Sequence, residues 1–138
     1  MDLRRRLLRH GLLLFLVGLV TGLVVPAMTN PRAGLAAHLE GVMNGMFLVL
    51  VGLAWPELRL SERAGRIVAG LLLLGTWANW AATTASAVLG TSKGTPIAGA
   101  GFGAAPLVEN AVYATLALVA LTMVGGSVGL VIGAWRRR

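Results

Sequence analysis

Hydrophobic and polar positions in this chain form long blocks. Four stretches carry almost no charge, at about residues 9–26, 33–55, 64–90 and 106–135. A helix that crosses a bilayer needs about 20 predominantly apolar residues, and each stretch is close to that length or longer. The pattern therefore predicts an all-α integral membrane protein, with a single domain folded as a four-helix transmembrane bundle.

Turn signals separate the four stretches: Asn30-Pro31, then residues 55–61 with Pro56, then the Gly- and Ala-rich residues 90–106. Arginines before the first apolar stretch also suggest a signal peptide. That stretch is long for a signal peptide, and residues 24–27 are a poor cleavage site. We therefore expect an uncleaved span.

Composition narrows the class further. Hydrophobic residues make up 57% of the chain and charged residues 12%, against about 25% charged in an ordinary soluble domain. These values exclude disorder and argue against a soluble globule. The net charge of +7 comes without a basic face that interleaves aromatics, so nucleic acid is not an expected partner. The absence of cysteine excludes disulfides and thiolate chemistry.

The basic residues indicate topology. Ten of the twelve Lys and Arg residues lie before the first span, between the second and third, or after the fourth. Only Arg32 and Lys93 lie in the other two connections. Because basic loops stay in the cytoplasm, we expect both termini there, with the lipid bilayer, and its anionic lipids in particular, as a partner.

Glycines recur at helical spacing within the spans. Without a hydrophobic drive between helices in lipid, small residues permit close packing. The spaced sets are Gly18 with Gly22, Gly41 with Gly45, and Gly125 with Gly129 and Gly133. They predict a tight bundle, and four short helices enclose so little volume that we expect a homo-oligomer.

A few polar residues interrupt the second, third and fourth spans. An ionisable group at bilayer depth costs about 2.5–3.5 kcal/mol, which makes it a candidate functional residue. The set comprises His38, Glu40, Asn44, Thr76, Asn79, Thr83, Glu109, Asn110 and Tyr113. The helical rise puts these residues in the middle and outer half of the membrane, where the sequence predicts the site.

Helical phase divides this set. The i,i+4 neighbours are Glu40 with Asn44, Asn79 with Thr83, and Glu109 with Tyr113. His38 lies off the line of Glu40, so we expect it to face a different pocket or a neighbouring subunit. Trp77 and Trp80, one turn apart, are candidates for an aromatic wall.

Each candidate also has a structural interpretation. His38 is suited to bind a metal, or simply to donate a hydrogen bond to Glu40 or a carbonyl. Glu109 suits a helix N-terminus, and Asn44 and Asn79 suit interhelical hydrogen bonds. Residues expected at the membrane interface are His10, Trp55 and Trp135.

Two motifs resemble a known family. The run His-Leu-Glu-Gly-x-x-Asn-Gly from His38, the motif Trp77-x-Asn79 and residues 95–99 resemble bacterial hydroxylaminobenzene mutases, and the resemblance covers nearly the whole chain. These mutases are distantly similar to styrene oxide isomerases, which are trimeric four-span proteins that bind haem b. The resemblance implies a homotrimer in the bacterial inner membrane, haem b on His38, and Asn44 at the substrate.

The chain departs from the isomerases at two positions. Their acid before the tryptophan falls at Gly75, and their substrate-site tyrosine falls at Thr83. These departures favour the mutase activity, in which a small aromatic hydroxylamine, hydroxylaminobenzene, becomes 2-aminophenol by intramolecular hydroxyl transfer. The expected catalytic residues are Asn44, Asn79, Glu40 and Glu109. The expected substrate-binding residues are Asn44, Trp77, Trp80, Thr83 and Tyr113.

Three alternatives stay open on the sequence. The first is an isomerase that converts epoxides to aldehydes. The second is a small transporter in which Glu40 couples proton and substrate. The third is a haem electron-transfer or sensor protein, which would need a second axial ligand such as Met43 or Met46.

Overall fold

The computed structural model describes residues 2–136, and four long helices account for most of them. The helices are α1 (Leu3–Val24), α2 (Pro31–Ala54), α3 (Glu62–Leu89) and α4 (Pro106–Trp135). Short 3₁₀ turns follow α1 (Val25–Ala27) and α2 (Trp55–Glu57). All four helices are long and apolar enough to cross a membrane, so the prediction of an all-α membrane fold is confirmed.

Local sequence explains where the helices begin and end. The side chains of Asp2, Asn30 and Ser61 accept backbone N–H groups at the first turns of α1, α2 and α3. Gly90, with φ of +68°, ends α3 in the left-handed conformation that glycine adopts without strain. α1 begins earlier than its predicted span, because the capped arginine-rich segment continues the helix beyond the apolar residues.

Glycines bring the backbones of α1 and α2 into contact. A Cβ on Gly11 would lie 2.8 Å from the Gly45 carbonyl oxygen, and one on Gly41 would lie 2.5 Å from the Gly18 Cα. No larger side chain fits at these crossings without moving a helix. The predicted role of the glycine pairs in close packing therefore holds for α1 and α2.

One of the glycines predicted to lie in the α4 helix contact does not contact α3 closely. A Cβ on Gly126 would lie 2.6 Å from Leu72 Cδ2, whereas one on Gly125 would meet only Leu71 Cδ1, at an ordinary 3.6 Å. Gly126 therefore lies at the helix contact, in place of Gly125. The predicted i,i+4 spacing is correct for Gly129 and Gly133, but the contact shifts by one residue because helical phase drifts along α4.

At each end of the bundle, a backbone hydrogen bond joins a connection to a neighbouring helix. At one end the Arg59 N–H donates to the Gly133 carbonyl at 2.9 Å, which joins the α2–α3 connection to the end of α4. At the other end the Asn30 N–H donates to the Ala87 carbonyl, also at 2.9 Å. The basic residues predicted to be cytoplasmic gather at the first end. Of these, Arg137 and Arg138 lie outside the described residues.

Candidate functional site

Glu40 is the centre of a polar cluster between α2 and α3. Its Oε2 atom accepts hydrogen bonds from Asn44 Nδ2 at 3.2 Å and from Asn79 Nδ2 at 2.5 Å. Asn44 is buried, and Glu40 and Asn79 are partly buried. The structure therefore brings together three residues that the sequence placed at similar depth. We call Glu40, Asn44 and Asn79 the polar cluster.

The hydrogen bonds of the polar cluster leave three of its four side-chain oxygens without a donor among residues 2–136. Each amide uses an N–H of its Nδ2 atom toward Glu40, and within residues 2–136 nothing donates to either Oδ1 atom. The Glu40 Oε1 atom likewise has no partner in this part of the chain. One carboxylate oxygen and two amide oxygens can thus receive N–H and O–H groups or a proton from a small substrate.

His38 faces away from the polar cluster. Its Nδ1 atom lies 2.8 Å from the Gly18 carbonyl oxygen on α1, which assigns the ring hydrogen of a neutral imidazole to Nδ1 and leaves Nε2 as the free ligand atom. Gly22 makes room for the ring, because a Cβ there would lie 2.7 Å from Nδ1. The bond to a carbonyl is the arrangement that orients metal-ligating histidines.

The imidazole opens onto an apolar groove along α1 and the beginning of α2. The groove measures about 700 Å³. Its lining comprises Leu16, Leu19, Val20, Gly22, Leu23, Val25, Pro26, Leu35 and His38. Residues two apart on a helix point about 200° apart, so His38 turns to α1 while Glu40 turns to α3. A single chain therefore presents the groove and the polar cluster on different faces.

Trp77 and Trp80 direct their indole N–H groups to α1. Trp77 Nε1 donates to His10 Nδ1 at 3.2 Å, and Trp80 Nε1 donates to Thr21 Oγ1 at 3.0 Å. The two indoles meet edge to face with centroids 5.9 Å apart. Trp80 also contacts Gly41, the chain neighbour of Glu40, since a Cβ on Gly41 would lie 3.0 Å from the Trp80 Cδ1 atom.

His10, which the sequence predicts at the membrane interface, is partly buried. Its ring accepts the Trp77 indole hydrogen across the α1–α3 contact. Thr83 is buried, and its hydroxyl donates within α3 to the Asn79 carbonyl at 2.8 Å. The Thr83 oxygen can still accept a hydrogen bond, but its hydrogen is already used.

Glu109 lies in a different environment from Glu40. Its carboxylate accepts the backbone N–H groups of Ser92 at 3.1 Å, Lys93 at 2.9 Å and Ala104 at 3.0 Å. All these donors belong to the α3–α4 connection. The structure therefore does not bring Glu109 to the polar cluster, and it favours the structural interpretation of this acid.

Tyr113 lies near the same connection. Lys93 Nζ lies 5.1 Å from the centre of the Tyr113 ring and donates to Asn110 Oδ1 at 2.6 Å. The ring is half exposed, at 50%. Tyr113 thus has contacts with the connection and none with the polar cluster among the hydrogen bonds of residues 2–136.

Sequence reasoning missed the roles of several residues that shape the site. Asn30 is fully buried, and its Nδ2 atom donates to the Ala98 carbonyl at 2.8 Å, which joins the start of α2 to the α3–α4 connection. An Asn-Pro pair before a helix is a recognisable N-cap signal. Gly18 and Thr21 have no such signal, because their partners His38 and Trp80 come from other helices.

Comparison with known proteins gives one family and two relatives. The family model described as styrene oxide isomerase matches residues 3–135. Hydroxylaminobenzene mutase HabB of Ectopseudomonas oleovorans is 44% identical over 122 residues, covering 88% of this chain and 74% of HabB. Hydroxylaminobenzene mutase HabA of the same organism is 41% identical over 131 residues, covering 94% of this chain and 97% of HabA.

Proposed function

The chain belongs to the styrene oxide isomerase family and is an isomerase, and from this premise we propose that it converts hydroxylaminobenzene to 2-aminophenol. The observation that carries the proposal is the identity of 44% and 41% to two hydroxylaminobenzene mutases over most of each protein. The family resemblance predicted from the motifs at His38 and Trp77 is confirmed. The departures at Gly75 and Thr83 support the mutase activity over epoxide isomerisation.

The reaction is an isomerisation in which every atom is conserved. The N–O bond breaks, a C–O bond forms at the ortho carbon, that carbon releases its proton, and the nitrogen gains one. No external oxidant or reductant is needed. The site must accept the polar hydrogens of the substrate and take up the ring proton. The substrate is small and neutral, so it can enter from the bilayer.

The polar cluster suits these tasks. Glu40 is the proposed base, because its Oε2 atom is fixed by both amides and its Oε1 atom is free to take the ring proton. The Oδ1 atoms of Asn44 and Asn79 would accept the N–H and O–H groups of the substrate and orient it. Trp80 follows Asn79 in the chain and contacts Gly41, the neighbour of Glu40, and its aromatic ring would stabilise positive charge that develops on the substrate.

The other predicted site residues have weaker geometric support. Trp77, Thr83 and Tyr113 stay in the proposal as residues around the substrate, although their hydrogen bonds and ring contacts lie elsewhere. Glu109 is proposed only as a residue that holds the α3–α4 connection. The base is therefore assigned to Glu40 alone.

His38 fits the haem b that the resemblance implies. One imidazole can hold a haem iron, the His38 Nε2 atom would be the ligand, and the groove of about 700 Å³ in front of the ring is apolar. When bound, the iron would supply a Lewis acid that polarises the N–O bond. Gly18 would orient the ring through its carbonyl, and the leucines of the groove would exclude water.

The positions of the His38 groove and the polar cluster on different faces of α2 support an oligomer. The His38 groove and the polar cluster turn to opposite sides of α2, so a homotrimer would place the groove of one copy against the polar cluster of the next. Co-expression of His38→Ala and Glu40→Gln chains should then give mutase activity well above that of either variant alone. Activity that stays at the level of the single variants in the mixed oligomer would contradict the shared site.

The activity test uses detergent-purified protein and hydroxylaminobenzene in water enriched in ¹⁸O. We expect 2-aminophenol in equal amount to the substrate consumed, without ¹⁸O, since the hydroxyl transfer is intramolecular. Isomerisation of styrene oxide with no 2-aminophenol formed would instead favour the epoxide isomerase. Activity only across a sealed membrane would favour the transporter.

The haem test compares the two histidines of the chain. The purified protein should show a haem absorption band that His38→Ala lacks and His10→Ala retains. A colourless protein that stays colourless after incubation with haem would contradict the haem proposal without affecting the mutase proposal.

A further inference from the structure

We propose that the amino-terminal end of α1 binds the phosphate headgroup of one anionic phospholipid. The site is a groove of about 570 Å³ lined by Asp2, Arg5, Arg6, Arg9 and His10, which we call the arginine groove. These residues follow the i, i+3, i+4, i+7, i+8 spacing of one helix face. Their side chains therefore converge on the same surface of α1.

The charge in the arginine groove is largely unpaired. Arg5 Nε lies 3.4 Å from Asp2 Oδ2, an exposed pair that contributes little to stability. Within residues 2–136, no carboxylate lies within 4 Å of Arg6 or Arg9. Two guanidinium groups one turn apart match the geometry of a phosphate, which guanidinium binds through paired hydrogen bonds.

His10 closes the inner edge of the arginine groove. Because its Nδ1 atom accepts the Trp77 indole hydrogen at 3.2 Å, the neutral ring carries its own hydrogen on Nε2. The Trp77 contact fixes the ring orientation. The groove is thus bounded by two arginines without a carboxylate partner among residues 2–136 and by an imidazole of fixed orientation.

An adjoining apolar surface identifies the phosphate as part of a lipid. The face that bears Arg6 and Arg9 continues into Leu12 and Leu13, which are 63% and 51% exposed and do not line the His38 groove. From Arg9 to Leu13 the helix rises by about 6 Å. A lipid headgroup bound to the arginines would place an acyl chain along these side chains, whereas a free phosphate would contact the arginines alone.

The experiment measures lipid binding to the full chain in neutral detergent by native mass spectrometry, with phosphatidylglycerol titrated against phosphatidylcholine. Arg6→Gln/Arg9→Gln should bind phosphatidylglycerol about 30-fold more weakly, since each basic residue near the headgroups contributes roughly a fivefold effect. The matched control is Arg63→Gln/Arg66→Gln, which removes the same charge at the same spacing from α3. It should stay within about threefold of the unmodified protein.

Three results would overturn the proposal. Equal losses in the two double variants would show diffuse attraction to the basic end of the bundle. An unchanged affinity in Arg6→Gln/Arg9→Gln would show that the arginine groove binds no headgroup. Inorganic phosphate that raises the melting temperature as much as phosphatidylglycerol would show a phosphate site without lipid. If the double variant does not fold, Arg9→Gln alone should weaken binding about fivefold.

Discussion

Glu40 accepts hydrogen bonds from the side-chain amides of Asn44, on the same helix, and Asn79, on α3. Both amides donate to the same carboxylate oxygen, which leaves the other oxygen without a hydrogen-bond partner among residues 2–136. A carboxylate held in this way has a fixed position and a free acceptor atom. That combination, more than the presence of an acid in a span, supports Glu40 as the proposed base.

The first prediction follows from this geometry. Glu40→Gln keeps the shape of the side chain but removes the proton acceptor, so the rate of 2-aminophenol formation should fall by about 10²- to 10⁴-fold. Liquid chromatography of the product measures the rate. Glu57→Gln, an exposed acid at the end of α2, should retain full activity. A loss of less than tenfold in Glu40→Gln would assign the base elsewhere.

At the scale of elements, the α3–α4 connection is held mainly by hydrogen bonds to residues outside the connection. Glu109 accepts three of its backbone N–H groups, Asn30 donates to Ala98, and the Arg32 guanidinium donates to the Ala100 carbonyl. The connection contains many glycines and forms only a few internal hydrogen bonds. Its conformation therefore depends on the ends of α2 and α4.

The second prediction tests this dependence. A hydrogen bond to a charged group contributes about 1.5–3 kcal/mol, so Glu109→Gln should speed amide exchange at Ser92, Lys93 and Ala104 by about 10- to 100-fold. Hydrogen–deuterium exchange measures the effect. In the control Glu62→Gln, whose exposed pair with Arg66 lies at the other end of the bundle, exchange in the connection should be unchanged. Unchanged exchange in Glu109→Gln would refute the role.

The third prediction concerns the α1–α2 crossing. Gly11→Ala places a Cβ 2.8 Å from the Gly45 carbonyl oxygen, so the helices must separate, and we expect destabilisation by about 1–3 kcal/mol. Gly70→Ala is the matched control, because nothing lies within 4 Å of its Cβ and alanine favours a helix. Thermal unfolding in detergent should show a lower midpoint for Gly11→Ala only. Equal midpoints would mean that the crossing tolerates a methyl group.

At the scale of the whole molecule, charge separates the two ends of the bundle. The end joined by Arg59 and Gly133 carries the arginines of α1, the α2–α3 connection and the end of α4. Among residues 2–136, the basic residues at the end joined by Asn30 and Ala87 are Arg32 and Lys93. We propose on this basis that the first end faces the cytoplasm of a bacterial inner membrane.

The fourth prediction uses the absence of native cysteine, which gives labelling without background. Ile97→Cys, at an 88% exposed position of the α3–α4 connection, should react with a membrane-impermeant maleimide in intact spheroplasts. Glu57→Cys, at the opposite end, should react only after the membrane is opened. The reverse pattern would invert the proposed topology.

The sequence by itself determined the helices and the class of protein. Apolar stretches of membrane length predicted four spans, and Asp2, Asn30, Ser61 and Gly90 mark helix ends through hydrogen bonds to their own neighbours. The association of Glu40 with Asn44 could also be predicted, because i,i+4 residues share one helix face. These features depend on local hydropathy and on residues within a turn or two.

Only the tertiary structure decided which side chains meet across helices. The helical rise put Glu40 and Glu109 in the middle and outer half of the membrane. In the fold, Glu40 belongs to the polar cluster and Glu109 binds the α3–α4 connection. The fold also pairs His10 with Trp77 and His38 with the Gly18 carbonyl, and selects Gly126 over Gly125. Such contacts depend on crossing position and rotation about each helix axis, and these are set by packing between segments far apart in the chain.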